Sequence, residues 1–265
     1  MSEIFVKGII GKYFLESVQT DSQGMLMLCV VLACVLPALV GYLLGSINSA
    51  VLISCVVYHD DVRSHGSKNA GATNMMRTYG KAAAVATLIG DMLKTVIAVF
   101  FGALLLAEMG MYIGGLFSVL GHVFPLYFRF KGGKGVACAA AMILCTEPLL
   151  FVVLMLLFIG IVALSRYISL GSVMCIMVYP LFLNRMYPAL HKTGGVPFVP
   201  TVVSFALMVT VLLMHRENIR RLSRKEESKF EFKKSIKAAK VVSEESDADD
   251  VKTNEQEPLP EKKRK

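Results

Sequence analysis

The sequence predicts an all-α, polytopic integral membrane protein with about seven transmembrane helices, five being the lower count. Three observations carry this reading. Of 265 residues, 55% are hydrophobic and 18% charged, and the mean hydropathy is +0.59. The apolar residues are gathered into long runs, several near the ~20 residues that a helix needs to cross a bilayer. The cations lie in short loops and in the C-terminal tail, so the net charge of +8 suits an anionic membrane surface, and nucleic acid is not an expected partner.

Taken in order, residues 1–24 place Phe5, Ile9, Ile10, Tyr13 and Phe14 at helical spacing, which permits a short interfacial helix. No basic start followed by an apolar run and a small-residue cleavage site is visible, so this extension is expected to be retained. A first span runs from Met25 to Val57, through Pro37, and is interrupted by Gly45-Ser46-Ile47-Asn48-Ser49. Small and polar groups at that depth are buried against neighbours or line a site. Residues 58–81 form a polar loop rich in Gly, Ser, Asn and Thr, with Arg63, Lys68 and Arg77. The second span (82–107) carries Asp91 and Lys94, which share a helix face at i, i+3. An intramembrane pair of this kind serves either as a structural ion pair or as a substrate contact.

The third span (111–128) ends in aromatic residues. A short fourth span follows to Cys145, then Thr146-Glu147-Pro148 as a turn, then spans at 149–164, 168–183 and 197–214, the lower count merging the fourth and fifth. The cations bias the loops bearing Arg63, Arg129, Lys131, Lys134 and Arg166, and the tail, toward the cytoplasm, with the N-terminus outside. The domain reading is an extension (1–24), a transmembrane domain (25–222) and a charged, disordered tail (223–265). The six cysteines lie in or beside apolar runs without a CxxC pair and read as small core residues.

Chemistry concentrates at Gly121-His122-Val123-Phe124-Pro125 and the following Phe130-Lys131-Gly132-Gly133-Lys134-Gly135. Glycines allow successive N–H groups to turn toward one point, a following helix adds its positive end, and two lysines flank them. That makes an anion site or, in the plainer reading, a tight turn with flanking cations. Other signatures are missing. Lys134 is followed by Gly, so this is not a P-loop. No His precedes an Asp by five positions, no His set has metal-ligand spacing, and no nucleophile elbow occurs. No cofactor or metal is expected.

One ordered set remains: Gly45-Ser46-Ile47, Asp61-Val62-Arg63, Gly66-Ser67-Lys68-Asn69-Ala70-Gly71-Ala72-Thr73-Asn74, Arg77-Thr78-Tyr79-Gly80, Asp91-Met92-Leu93-Lys94, the glycine loop, Tyr167-Ile168-Ser169-Leu170 and His215-Arg216-Glu217-Asn218-Ile219. It closely resembles the bacterial acyl-phosphate:glycerol-3-phosphate acyltransferase (PlsY) family over roughly residues 41–222. The resemblance implies an enzyme of phospholipid synthesis in the bacterial inner membrane, with its site at the cytoplasmic face. It would move a fatty acyl group from acyl phosphate to the 1-hydroxyl of glycerol 3-phosphate, giving lysophosphatidic acid and phosphate. Membrane lipids and an enzyme that makes acyl phosphate would be its partners. It also implies that Ser46, Arg63, Lys131, His215 and Asn218 carry the chemistry. Ser67, Asn69, Asn74, Lys94, His122, Gly132, Gly133, Lys134, Gly135 and Ser169 would hold substrate. Of these, Asn69 and Asn74 have the strongest alternative reading, as helix caps or loop braces. Two departures stand out: Asn48 occupies a usual Pro position and Lys68 a usual Gly.

Two other classes fit part of the pattern. A transporter of a phosphorylated solute would want a midplane site and often internal repeats, and none is visible. A lipid-binding scaffold would explain the basic loops but not the Gly-Ser-Asn-Thr set.

Overall fold

A computed structural model of the protein describes residues 23–230, with side chains from residue 31 onward. The expected interfacial helix of the N-terminal extension and most of the charged tail lie outside these residues. The described chain is helical throughout, with no strand.

Helix α1 (Gln23–Gly45) continues through Pro37 and stops where the small, polar interruption begins. Asn48 ends that break by accepting the Val51 N–H with its side chain, which caps α2 (Ser49–Val57). A 3-10 turn (Val62–Ser64) and α3 (Ala72–Tyr79) form the polar loop. Helix α4 (Lys81–Val123) spans 43 residues but is not one rod. Leu106 (φ −133°, ψ 27°) and Ala107 (φ 47°, ψ −133°) reverse the chain, so its two arms run antiparallel. Thr95 Oγ1 meets Ser118 Oγ at 2.9 Å across the arms. Near the turn the arms touch backbone to backbone, because a Cβ on Gly102 would lie 1.9 Å from the Gly110 carbonyl oxygen. Helix α1 packs on the second arm the same way, Gly41 against Gly114 and Gly45 against Ser118. Close approach at small residues is how helices associate where lipid removes the hydrophobic drive.

Helix α5 (Val136–Thr146) has 11 residues, about 16 Å at 1.5 Å per residue, roughly half of a bilayer's hydrocarbon thickness. Pro148 then opens α6 (Pro148–Ser165), followed by α7 (Ile168–His191) and α8 (Phe198–Met214). The chain bends by 58° at His215 into α9 (Arg216–Ser223). Four stretches, or five if α8 and α9 count together, are long and apolar enough to cross a membrane. The stretch counted as Lys81–Phe128 folds back at Ala107 and supplies two arms. Apolar side chains cover the outside: Leu156, Ile159 and Leu164 of α6 are 65%, 55% and 90% exposed. Such a surface belongs against lipid. Inside, Tyr112, Val119, Met142, Leu150, Tyr179, Leu183 and Leu207 join α4 through α8. A second cluster of Val51, Val62, Ala70, Met75 and Ala84 floors the polar loop.

At the end of the bundle holding the α4 reversal, a polar clamp joins three places. Glu147, 3% exposed, accepts a hydrogen bond from Tyr112 Oη (3.0 Å) and faces His191 Nε2 at 3.3 Å. Tyr187 stacks on His191 and donates to Glu108. Glu147→Leu strands the Tyr112 hydroxyl and releases His191, a loss of about 1–3 kcal/mol. The expected result is a lower unfolding midpoint in detergent with KM for substrate unchanged.

Candidate active site

Four segments meet at the other end of the bundle: the α1–α2 break with its polar loop, the segment from α4 to α5, the start of α7, and the α8–α9 bend. Arg63 makes the first connection. Its guanidinium holds Asp61 bidentately (Nη2–Oδ2 2.7 Å) and donates to the carbonyls of Phe128 (3.1 Å) and Lys131 (3.3 Å). The Arg63 hydrogen bond keeps the Asp61 carboxyl below its usual range, so the pair stays charged. Ser46, fully buried, donates to the Tyr42 carbonyl and accepts the Leu126 N–H at 3.2 Å. It thereby ties the helix break to the aromatic turn.

The glycine loop is held from below by His122, whose carbonyl accepts the Gly133 N–H at 3.1 Å. A Cβ on Gly133 would lie 2.2 Å from His122 Nε2 and 2.6 Å from the Ala70 carbonyl, so only glycine fits. Gly135, at φ 79°, occupies the left-handed region and opens α5. The sequence reading aimed every loop N–H at a ligand; Gly133 has given its own to His122. The N–H groups of Gly132, Lys134 and Gly135 make no hydrogen bond among the described residues and stand at the positive end of α5.

On the far side, Lys134 Nζ donates to Asn218 Oδ1, and Asn218 Nδ2 donates to Glu227 Oε1 at 2.6 Å. Ser169 Oγ donates to the same oxygen at 2.8 Å, and Arg221 Nε holds the other at 2.7 Å. Burial would raise Glu227, but hydrogen bonds from Arg221, Asn218 and Ser169 outweigh it and hold its pKa below the usual carboxylate value. His215, 2% exposed, sets Nδ1 at 2.8 Å from the Val211 carbonyl, leaving Nε2 as the acceptor of a neutral ring. Burial, helped by the charges of Arg221 and Arg77, brings Lys134 down to about 8.

Some residues named from the sequence are committed elsewhere. Lys94 is buried and bonded to Asp91 (2.8 Å), to the Ile47 carbonyl (2.6 Å) and to His122 Nδ1 (3.0 Å), so the ion pair expected at i, i+3 is present. Asn74 braces the polar loop, accepting the Ser67 N–H and donating to the Val62 and His65 carbonyls. Among the described residues, the side chain of half-buried Asn69 and the hydroxyl of exposed Ser67 make no hydrogen bond. Lys131 is exposed, and its ammonium reaches no partner among the described residues. Lys68 takes φ 57°, which explains the usual Gly at that position. Asn48, at the usual Pro position, caps α2 through the Val51 N–H and donates to the Ala70 carbonyl at 3.4 Å. Glu227 was not found from the sequence: it stands in a run of Lys and Glu with nothing local to single it out. Among the described residues no His, Cys, Asp and Glu cluster is arranged to hold a metal ion.

The family model described as glycerol-3-phosphate acyltransferase matches residues 35–225, which include every one of the residues above except Glu227. The chain belongs to the glycerol-3-phosphate acyltransferase family. It is 40% identical over 210 residues to the glycerol-3-phosphate acyltransferase of Paraburkholderia phytofirmans, covering 76% of this chain and 93% of the relative. Over 195 residues it is 36% identical to that of Finegoldia magna, covering 72% and 93%. Among solved structures it is similar to PlsY (YgiH), an integral membrane glycerol 3-phosphate acyltransferase, in its glycerol 3-phosphate form. That match has a TM-score of 0.69 and 32% identity, and covers 77% of this chain and 98% of the other. The lysophosphatidic acid form of PlsY matches with a TM-score of 0.66 and 31% identity. This acyltransferase is therefore a multi-pass membrane enzyme of lipid synthesis.

Proposed function

We propose that this acyltransferase takes its acyl group from acyl phosphate, passes it to the 1-hydroxyl of sn-glycerol 3-phosphate, and releases lysophosphatidic acid and phosphate. The observation that carries the reading is the convergence of Arg63, Lys134, three unbonded loop N–H groups and the α5 N-terminus at one end of the bundle. Both substrates bring a phosphate group there, and the guanidinium fork and lysine match such oxygens. Arg63, Lys131 and Lys134 take phosphate charge, Gly132, Lys134 and Gly135 donate N–H groups, and Ser46, Ser169 and Asn218 orient the ligands. The hydroxyl oxygen attacks the carbonyl carbon, the bond from that carbon to the bridging oxygen breaks, and the hydroxyl proton ends on the phosphate. The mixed anhydride already has a good leaving group, so positioning and charge stabilisation supply most of the rate. A phosphate oxygen with its second pKa near 6 accepts the proton, with no covalent acyl-enzyme.

The site faces the cytoplasm of a bacterial inner membrane, with seven spans and the N-terminus outside, in accord with the cation bias. Purified enzyme supplied with glycerol 3-phosphate and either acyl phosphate or acyl-CoA tests the donor. Turnover with acyl phosphate and little with acyl-CoA is expected; faster turnover with acyl-CoA overturns the reading.

The ammonium of Lys134 gives this function a pH dependence. It is charged below about 8 and neutral above. KM for glycerol 3-phosphate should be flat near neutrality and climb with further rise in pH, approaching about tenfold per unit. Lys134→Arg, which stays charged, should remove that climb, as a KM–pH series on both proteins would show.

A further inference from the structure

His122 sits beneath the glycine loop, 3% exposed, and its Nδ1 faces the buried pair Asp91–Lys94. Lys94 Nζ lies 2.6 Å from the Ile47 carbonyl, 2.8 Å from Asp91 Oδ1 and 3.0 Å from His122 Nδ1. An ammonium has three protons and no lone pair. Its three neighbours take one proton each, which makes Nδ1 an acceptor. A ring nitrogen that accepts carries no proton, so the ring's proton is on Nε2. The competing arrangement, a charged ring donating Nδ1–H to Asp91, needs a 3.4 Å contact to an oxygen already bonded to Lys94 and lying 3.4 Å from the Ser49 N–H. The Cys138 thiol is directed to the Asp91 carbonyl at 3.5 Å.

The Nε2–Cε1 edge of the ring faces Gly133: a Cβ there would lie 2.2 Å from Nε2 and 2.9 Å from Cε1. The missing side chain of residue 133 is what brings the Nε2–H up to the loop. His215 is fixed the other way round, with the proton on Nδ1 and the lone pair on Nε2.

We propose that Asp91 and Lys94 are positioning residues that hold His122 as the neutral Nε2–H form, a fixed hydrogen-bond donor to a phosphate oxygen seated against Gly133 and not a proton acceptor. The donor role rests on the glycine loop being the phosphate site; the placement of the proton does not. Lys94 and His122 then serve the loop in series, Lys94 without touching substrate.

Nitrogen-15 spectra of histidine-labelled enzyme in detergent, near neutral pH, read the proton directly, with His122 assigned by the signals lost in His122→Gln. One protonated Nε2 and one bare Nδ1 are expected. Two protonated nitrogens, or a proton on Nδ1 alone, would overturn the proposal. Lys94→Met should release Nδ1 and change those signals.

Kinetics supply the second arm. His122→Gln keeps an N–H near the Nε2 position but cannot take up a proton, so kcat/KM within about tenfold of the unmodified enzyme is expected, against a loss of about 10²-fold in His122→Ala. Gln and Ala variants equally inactive, with unfolding midpoints unchanged, would refute the donor role. Should either variant fail to fold, the nitrogen spectra of the unmodified enzyme still decide. An enzyme inactive with acyl phosphate would remove the proposed donor substrate and leave the histidine result standing.

Discussion

Arg63→Ala is expected to lower kcat/KM by about 10³-fold or more, the largest single effect in the molecule. Three connections are lost together: the fork to Asp61 and the two contacts that tie the polar loop to Phe128 and Lys131. Asp61 is left as an unpaired carboxylate beside the proposed phosphate site. Arg63→Lys restores the charge but not the planar fork, and a single ammonium cannot grip both Asp61 oxygens in the bidentate geometry that the guanidinium provides. It should recover less than a tenth of the lost activity. Steady-state assays on folded variants check both outcomes, and near-normal activity in Arg63→Ala would remove Arg63 from the site.

The second large effect concerns Gly133. Valine there must move away from both the His122 ring and the Ala70 carbonyl or displace them, since both stand closer to the Cβ position than real contacts allow. The loop then lifts away from α4, and the Gly133–His122 hydrogen bond breaks. A loss of about 10²-fold or more in kcat/KM is expected. Gly160, with open space around its Cβ position, is the control, and Gly160→Val should leave activity unchanged. Equal activity in the two variants would show that the loop is a turn and nothing more.

What could be read along the chain was what the chain itself encodes locally. The Gly45–Ser49 interruption, the turn at Thr146-Glu147-Pro148 and the Asp91–Lys94 pair at i, i+3 are all short-range features, and the structure has them. The α4 reversal was foreseen as a gap between spans, although the backbone turns at Leu106 and Ala107 almost without a loop. Long-range pairings were not legible. Nothing in the sequence joins Arg63 to the Phe128 carbonyl or Lys134 to Asn218. Those contacts exist because tight glycine packing of α1 on α4 fixes where the loops emerge. The sequence reading began the tail at residue 223, yet residues 224–230 return to α7, with Glu227 on Ser169 and the Phe230 N–H on the Arg166 carbonyl at 2.8 Å. A carboxylate in a charged run has no periodicity to mark it, and only its three donors do so.

Direct transfer is the central claim, and a rapid-quench experiment without glycerol 3-phosphate tests it most directly. Enzyme is mixed with acyl phosphate alone, quenched in acid, and assayed for released phosphate and for acyl groups bound to protein. The account predicts neither a stoichiometric burst of phosphate nor any acylated protein, with phosphate and lysophosphatidic acid appearing together once glycerol 3-phosphate is added. A burst of one phosphate per enzyme, matched by one protein-bound acyl group, would contradict it.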